Sequence, residues 1–262
     1  MKPTKTEQIE HALGKLERSG ANAYLVAMWR EALKVQQEDG APVPVNGSAL
    51  PYLPVDPEAF GISTHSTTRV LDVGCLGGYG LFDLAMQYRK TGKAVPQLVG
   101  IDMDENSVSA ARQMASIWAD TLSVSFACDR IESYAPEGEG FDVILCRLVL
   151  PYTRVAKAMR QMGRLCKPGG LIIVQVHACG YYLRQIRRNA PNLRVVAYYV
   201  RPLLNGIWFH CTGRQLAGRW FGETALSRRV MQRLAQENAV KTVRQQGDRF
   251  KPIYVFQRNE AG

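Results

Sequence analysis

The segment Arg69–Gly80, RVLDVGCLGGYG, constrains the fold of this chain most, because it joins an apolar strand pattern to a cluster of glycines. A second apolar run, Gln97–Asp102, follows it and ends in an acid. In an open parallel sheet, ligands bind at the edge formed by the carboxyl ends of the strands. The two segments therefore predict a nucleotide-shaped ligand at the ends of two adjacent parallel strands.

Strand and helix patterns alternate along much of the chain, which is typical of a parallel sheet with helical crossovers. We predict five strands with intervening helices, then a helix and two closing strands. The strands are at 69–75, 97–102, 123–128, 141–146, 171–176, 240–246 and 252–257, and the helices are near 79–90, 105–119, 153–166 and 223–238. The predicted fold is α/β, with a doubly wound, seven-stranded, mostly parallel sheet.

Two regions depart from this alternation. Residues 1–66 are predicted to form an N-terminal extension, with two amphipathic helices up to about residue 38 and a Pro-, Gly- and Ser-rich linker after them. Residues 67–262 form the main domain, in which 178–222 is an insertion after the fifth strand. Within the insertion, residues 181–189 have a helical pattern and residues 193–200, LRVVAYYV, have a strand-like pattern.

Charge is unevenly distributed. The chain has 33 Lys and Arg against 23 Asp and Glu, and residues 178–222 contain seven arginines and no acid. Such a block predicts contact with an anionic substrate, nucleic acid or lipid head groups, although a solvated helical face has the same pattern. The arginines are Arg184, Arg187, Arg188, Arg194, Arg201, Arg214 and Arg219.

Other features bear on location and metal binding. No apolar run approaches the roughly 20 residues that a bilayer-spanning helix needs, and the polar N-terminus does not resemble a secretory signal, so we expect a cytoplasmic protein. The six cysteines form no CxxC pair and three lie in apolar runs, which indicates buried free thiols. No residue cluster has the spacing of a metal site.

The glycine cluster alone specifies little, because it matches neither GxGxxG nor the GK[ST] ending of a phosphate loop. Asp102 is more informative, since a carboxylate at the end of the second strand can accept hydrogen bonds from both hydroxyls of a ribose. DMDEN resembles the start of a calcium loop, but Ser107 and Gln113 stand where that loop needs Gly and Glu. Asp104 is therefore predicted to cap the next helix.

Five ordered pieces together resemble the class I S-adenosylmethionine-dependent methyltransferase family: VLDVGCLGGYG, LVGIDMDENSVSAAR, FACDRIESY, FDVILCRLVLPY and LCKPGGLIIVQV. The resemblance covers residues 67–177 well and 223–258 loosely, and it implies a Rossmann-like fold. It also implies S-adenosylmethionine as cofactor and S-adenosylhomocysteine as product. One departure is Leu76, which stands at the middle glycine of the family's D-x-G-x-G-x-G.

The resemblance assigns cofactor contacts by position. Asp72 and Gly74 would lie near the methionine end, Asp102 near the ribose, Asp129 near the adenine, and the segment from Cys146 near the sulfonium. The complete set of implied cofactor residues is Asp72, Gly74, Cys75, Gly78, Asp102, Met103, Asp129, Arg130, Ile131, Cys146 and Arg147.

Methyl transfer from a sulfonium needs mainly alignment of the acceptor, and a base where the acceptor carries a proton. His177 is the predicted base because it follows the fifth strand, with His210 in the insertion as second candidate. A structural role is the alternative for both. Tyr152 could orient the acceptor. Tyr152 ends the segment Val149-Leu150-Pro151-Tyr152. Some methyltransferases that modify amide or amino nitrogens have the motif [DN]PP[YFW] at this position. Because the polar residue of that motif is missing here, methylation of a nucleic-acid base or of glutamine loses support.

The insertion mixes aromatic residues with arginines, which suits an aromatic or apolar small molecule that bears an anionic group. Tyr181, Trp208 and His210 are the predicted substrate contacts. We therefore expect a small-molecule methyltransferase. An RNA methyltransferase, a cofactor-binding protein without transferase activity, and peripheral contact with anionic lipid remain alternatives. The methylated atom and the oligomeric state stay open.

Overall fold

The computed structural model describes residues 3–18, 26–27, 29–30, 33, 65–119, 123–216, 218 and 220–260. The chain divides into two compact units, residues 1–130 and 131–262. Of the second predicted N-terminal helix, residues 26–27, 29–30 and 33 are described, and they are helical. The predicted linker lies outside the described residues except for residues 65–66.

The first unit contributes three parallel strands in the order β3-β2-β1. Its elements are α1 (Lys5–Arg18), β1 (Arg69–Val73), α2 (Tyr79–Lys90), β2 (Gln97–Asp102), α3 (Glu105–Ile117) and β3 (Val124–Cys128). Helix α1 packs against α3 through a face that buries Ile9, Ala12 and Leu13. Asp104 caps α3, since its carboxylate accepts a hydrogen bond from the Ser107 amide at 3.1 Å, which confirms the predicted cap.

The second unit contributes four strands in the order β4-β5-β7-β6. Its elements are β4 (Phe141–Arg147), a 3-10 turn (Leu150–Tyr152), α4 (Val155–Leu165), β5 (Cys166–Gln175), α5 (Cys179–Arg188), α6 (Leu193–Thr212), α7 (Arg228–Glu237), β6 (Val240–Gln246) and β7 (Ile253–Arg258). Strand β5 is parallel to β4, whereas β7 is antiparallel to β5 and to β6. The strands of both units belong to a seven-stranded, mostly parallel sheet, which confirms the predicted fold class.

The strand predicted at residues 193–200 is wrong, because these residues begin the 20-residue helix α6. Asn192 caps it by accepting a hydrogen bond from the Val195 amide at 3.3 Å. The helix packs against α5 and buries Pro202, Asn205, Gly206 and Phe209, which are spaced three or four residues apart. Tertiary packing on this helical face overrides the β propensity of the valine and tyrosine run.

Three smaller expectations also need correction. Helix α7 begins at Arg228 instead of 223, because Ser227 is its N-cap and residues 221–227 are irregular. Strand β5 begins at Cys166 instead of residue 171. Of the cysteines predicted to be buried, Cys128 and Cys211 are exposed. None of the described helices has the length and apolar character that crossing a membrane requires.

The fully buried side-chain amide of Asn205 in α6 forms hydrogen bonds with the segment between α6 and α7. Asn205 donates to the carbonyl oxygen of Glu223 at 3.0 Å and to Thr224 Oγ1 at 3.0 Å, and it accepts from the Leu216 amide at 2.8 Å. The Ala225 amide donates to the Pro202 carbonyl at 2.9 Å. These hydrogen bonds give the described residues of this segment a defined path across α6.

We expect Gly206→Ala to destabilise the protein, because a Cβ there would stand 2.3 Å from the Ala225 carbonyl oxygen. Overpacking costs about 1–3 kcal/mol, of which better helix propensity recovers at most about 1 kcal/mol. The expected fall in Tm is about 2–8 °C, measured by thermal unfolding. Gly222→Ala is the matched control, since nothing lies within 4 Å of its added Cβ. An unchanged Tm in Gly206→Ala would contradict this packing.

Candidate active site

The turn between β1 and α2 is tied to the end of β2. The amides of Gly74 and Cys75 both donate to the Ile101 carbonyl, at 2.8 and 3.0 Å. Gly74 has φ +73° and Leu76 has φ +50°, so a leucine occupies the left-handed conformation that usually favours glycine. The Leu76 amide donates to Asp102 Oδ2 at 2.9 Å. The departure from the glycine motif thus keeps the conformation that glycine would adopt.

Asp102 holds together three segments at this edge of the sheet. Its second carboxylate oxygen, Oδ1, accepts from the Asp104 amide at 3.0 Å, and its main-chain carbonyl accepts from the Asp129 amide at 3.0 Å. An ionised carboxylate offers about four acceptor positions, so two backbone donors leave acceptor capacity for two hydroxyl groups. Met103 follows and is 65% exposed, which provides an apolar surface beside the carboxylate. These groups fit the ribose and base of a nucleoside.

Gly78 and Gly100 serve packing against β3. A Cβ at Gly78 would stand 2.3 Å from the Phe126 ring, and a Cβ at Gly100 would stand 2.6 Å from the same ring and 2.7 Å from Cys75 Sγ. Gly78 also has φ +78°. The absence of side chains at these two positions lets Phe126 close the core beneath the turn. Close packing, and not only approach to a ligand, therefore explains the glycine at 78.

The other predicted cofactor residues lie at or near strand ends. In the first unit, Asp72 is buried within β1, Cys75 is buried in the turn, and the Arg130 amide donates to Asp129 Oδ1 at 2.6 Å. In the second unit, Ile131 and Cys146 are buried, and Arg147 is the last residue of β4. Leu148 then takes φ +61° and donates its amide to the Gln175 carbonyl at 2.8 Å. Both units thus carry a leucine in a positive-φ conformation just after a strand.

His177 lies just after β5, where backbone hydrogen bonds fix the chain. The amides of its neighbours Val176 and Ala178 donate to the carbonyls of Pro252 and Phe250, at 3.2 and 2.9 Å. The imidazole is 13% exposed and stacks on Tyr181 with ring centroids 4.0 Å apart. It is therefore a largely buried histidine with a fixed ring plane.

Glu223 is the residue that sequence reasoning missed. Its side chain is 9% exposed, its Oε1 accepts the Tyr182 hydroxyl at 2.6 Å, and the same oxygen lies 3.7 Å from His177 Nδ1. A histidine and a buried carboxylate thus share a site whose walls are tyrosines. A signal was present in the sequence, because Glu223 is the first acid after the acid-free segment 178–222.

The carboxylate shapes the titration of the surrounding phenols. Burial, and then the negative charge of Glu223, raise the pKa values of Tyr152 and Tyr182 far above the usual value. Burial is also the main reason why the pKa values of Tyr181 and Tyr198 are raised, with Glu223 contributing. Tyr152 and Tyr182 therefore stay neutral near pH 7 and can donate hydrogen bonds, but they cannot act as bases there.

The remaining candidates for substrate contact lie on the outer side of α6. His210 is exposed, with Nδ1 3.5 Å from Ser227 Oγ, and its carbonyl accepts from Arg233 at 2.9 Å. Trp208 is 47% exposed. The structure therefore brings Tyr152, His177 and Tyr181 together around Glu223, whereas the described contacts of His210 are with Ser227, the N-cap of α7, and Arg233 within that helix.

Comparison with known proteins identifies the family. Residues 64–253 match a family model described as a methyltransferase domain. A ubiquinone biosynthesis O-methyltransferase of Bradyrhizobium sp. (strain ORS 278) is 33% identical over 117 residues, which are 44% of this chain and 42% of that protein. One from Coxiella burnetii (strain Dugway 5J108-111) is 32% identical over 103 residues, 39% of this chain and 40% of that protein. The chain thus spans about two fifths of the length of these relatives.

A solved structure supports the fold. Magnesium protoporphyrin IX methyltransferase from Synechocystis PCC 6803, solved with bound S-adenosylhomocysteine, is 16% identical and has a TM-score of 0.51, covering 78% of each chain. At this identity the similarity concerns the fold.

We expect Tyr182→Phe to lower the free energy of unfolding by about 1–3 kcal/mol at pH 8, because it leaves a buried carboxylate without its hydroxyl donor. This loss of unfolding free energy should be smaller at alkaline pH. The folded pKa of Tyr182 is raised, so its stabilisation is complete below the unfolded pKa of about 10 and is lost as the pH rises from there towards the folded pKa.

Urea unfolding at pH 8 and pH 11 measures this difference, with Tyr199→Phe as the control for another tyrosine of the same cluster. Wild type should lose more stability between these pH values than Tyr182→Phe does. A constant difference between the two proteins would contradict the raised pKa of Tyr182.

Proposed function

Because this chain belongs to the class I S-adenosylmethionine-dependent methyltransferase family, we propose that it methylates a hydroxyl group of an aromatic or apolar small molecule. The observation that carries the proposal is the pair formed by His177 and Glu223, in which Nδ1 lies 3.7 Å from Oε1 in a site lined by tyrosines. Oxygen as the methylated atom also agrees with the names of the relatives from Bradyrhizobium and Coxiella.

The first unit would bind the cofactor. Asp102 would accept the ribose hydroxyls, Met103 would cover one side of the nucleoside, and Asp72, Gly74, Cys75, Gly78, Asp129 and Arg130 would complete the contacts. In the second unit, Ile131, Cys146 and Arg147 remain candidates for the same ligand. Bound S-adenosylmethionine supplies an electrophilic methyl group, with S-adenosylhomocysteine as the product.

His177 would remove the proton of the acceptor hydroxyl group. Glu223 faces Nδ1 of His177, so Nε2 is the nitrogen that would take the proton from the acceptor hydroxyl. A carboxylate this close attracts the positive charge that the ring acquires when it takes the proton. Stacking on Tyr181 holds the ring plane. The neutral phenol of Tyr152 would donate a hydrogen bond that orients the acceptor oxygen.

The aromatic character of the acceptor is supported by the tyrosine walls of the site. Tyr182 and Tyr199 each contact Tyr181 edge to face, with ring centroids 5.4 and 6.4 Å from that of Tyr181. Flat or apolar molecules pack well on such rings. An anionic group on the acceptor remains part of the proposal and is supported by the arginines of residues 178–222, which contain no acid.

We expect Asp102→Ala to weaken S-adenosylmethionine binding about 10- to 100-fold, because it removes charged acceptors of the ribose and the anchor of the Leu76 amide. Isothermal titration calorimetry measures this affinity. Asp248→Ala is the matched control, since Asp248 also accepts from two backbone amides, those of Phe250 and Lys251, but lies between β6 and β7. Unchanged affinity in Asp102→Ala would refute the proposed site.

We expect His177→Gln to lower kcat by about 10²- to 10⁴-fold, as the loss of a general base does. Glu223→Gln should lower it less, about tenfold, because its carboxylate acts through the imidazole. Tyr152→Phe should leave the pH profile of kcat in place, since that phenol stays neutral. The assay is transfer of a radiolabelled methyl group to a panel of phenolic carboxylic acids.

His65→Gln, an exposed histidine, is the control for this series. All variants should bind S-adenosylmethionine with unchanged affinity. Full activity in His177→Gln would refute the role of the base. Binding of the cofactor by wild type without transfer to any phenol or RNA would instead support a binding protein without transferase activity.

A further inference from the structure

Helix α6 exposes an apolar stripe along its outer side. Leu193 is 78% exposed, Leu204 50%, Ile207 63% and Trp208 47%. Together with exposed Ala197 and Cys211, these residues recur at helical spacing along one face. The opposite face is buried through Pro202, Asn205, Gly206 and Phe209. The helix thus presents apolar side chains to solvent over nearly its whole length of 20 residues.

Positive charge surrounds this stripe. The described charged residues from Ala178 to Gly222 are all arginines, and none is an acid. Arg187, Arg188 and Arg194 are exposed at the end of α5 and the start of α6. Arg201 lies over the ring of Trp220, 4.2 Å from its centroid, and that tryptophan is 66% exposed. The surface therefore joins apolar residues, tryptophans at its border and a uniform positive charge.

We propose that this face of α6 lies on an anionic lipid bilayer. A helix with an apolar face, flanking arginines and tryptophans has the composition of segments that bind in the plane of the membrane interface. Charge complementarity favours an anionic surface over a second copy of this chain, because two copies joined through α6 would bring their arginines together. The proposal is independent of the methylated acceptor, and it assigns Trp208 to the lipid surface instead of the predicted substrate contact.

The test is co-sedimentation of the full chain with vesicles of phosphatidylcholine alone and of phosphatidylcholine with about 30% phosphatidylglycerol. Wild type should bind the anionic vesicles and not the neutral ones. Raising the salt from about 0.1 M to about 0.5 M should weaken binding, because the Debye length shortens. The double substitution Leu204→Asp, Ile207→Asp should weaken binding at least about tenfold.

Val243→Asp is the matched control, since Val243 is 46% exposed on β6. It should bind vesicles as wild type does. A second measurement leaves the apolar face without an introduced charge. Lipids with brominated acyl chains should quench part of the tryptophan fluorescence of wild type, and they should quench a smaller part of the fluorescence of Trp208→Phe. Circular dichroism checks that each variant is folded.

Three results would overturn the proposal. The first is failure of wild type to bind anionic vesicles, and the second is equal binding by Leu204→Asp, Ile207→Asp. The third is a wild-type dimer that the double substitution dissociates in the absence of lipid, which would identify a second copy of the chain as the partner of this face.

Discussion

The buried carboxylate of Glu223 organises the second unit. Removing a charge from water is costly unless polar groups replace the lost hydration, and here the Tyr182 hydroxyl provides a hydrogen bond at 2.6 Å. That bond joins α5 to the loop before α7, while Asn205 fixes the same loop to α6 through the main-chain carbonyl of Glu223. One residue therefore links the positions of two helices and a loop, and the charge beside His177 follows from this arrangement.

The first unit solves a comparable problem with a different carboxylate. Asp102 accepts from the amides of Leu76 and Asp104, so the turn after β1 and the start of the β2–α3 connection are fixed by one side chain. Leu76 at φ +50° requires such support, because a non-glycine residue in this conformation is strained by about 1–2 kcal/mol. The hydrogen bond to Asp102 explains how the loop keeps its conformation without the usual glycine.

Much of the sheet was predictable because most of its strands are apolar runs, and β2 ends at the predicted Asp102. The cap at Asp104 follows from a local rule as well, whereas β1 ends at Val73 instead of residue 75 and β4 at Arg147 instead of residue 146. The helix from Leu193 did not, because β-branched and aromatic residues favour strands unless packing decides otherwise. Glu223 was also missed, since its importance comes from Tyr182 and His177, which are 41 and 46 positions away. Contacts between such distant positions leave little periodic signal.

Helix α6 departs from the usual arrangement of a surface helix, in which apolar residues face the core and polar residues face water. Its core face carries Asn205, fully buried and hydrogen-bonded, and Gly206, which admits the Ala225 carbonyl. Leu204 and Ile207, next to them in sequence, are exposed. The hydrogen bonds of the loop occupy the middle of the inner face, between buried Pro202 and Phe209. The larger apolar residues Leu204 and Ile207 therefore remain outside. Internal packing of the second unit thus leaves an apolar surface exposed among the described residues, and covering it would remove Leu193, Leu204 and Ile207 from water.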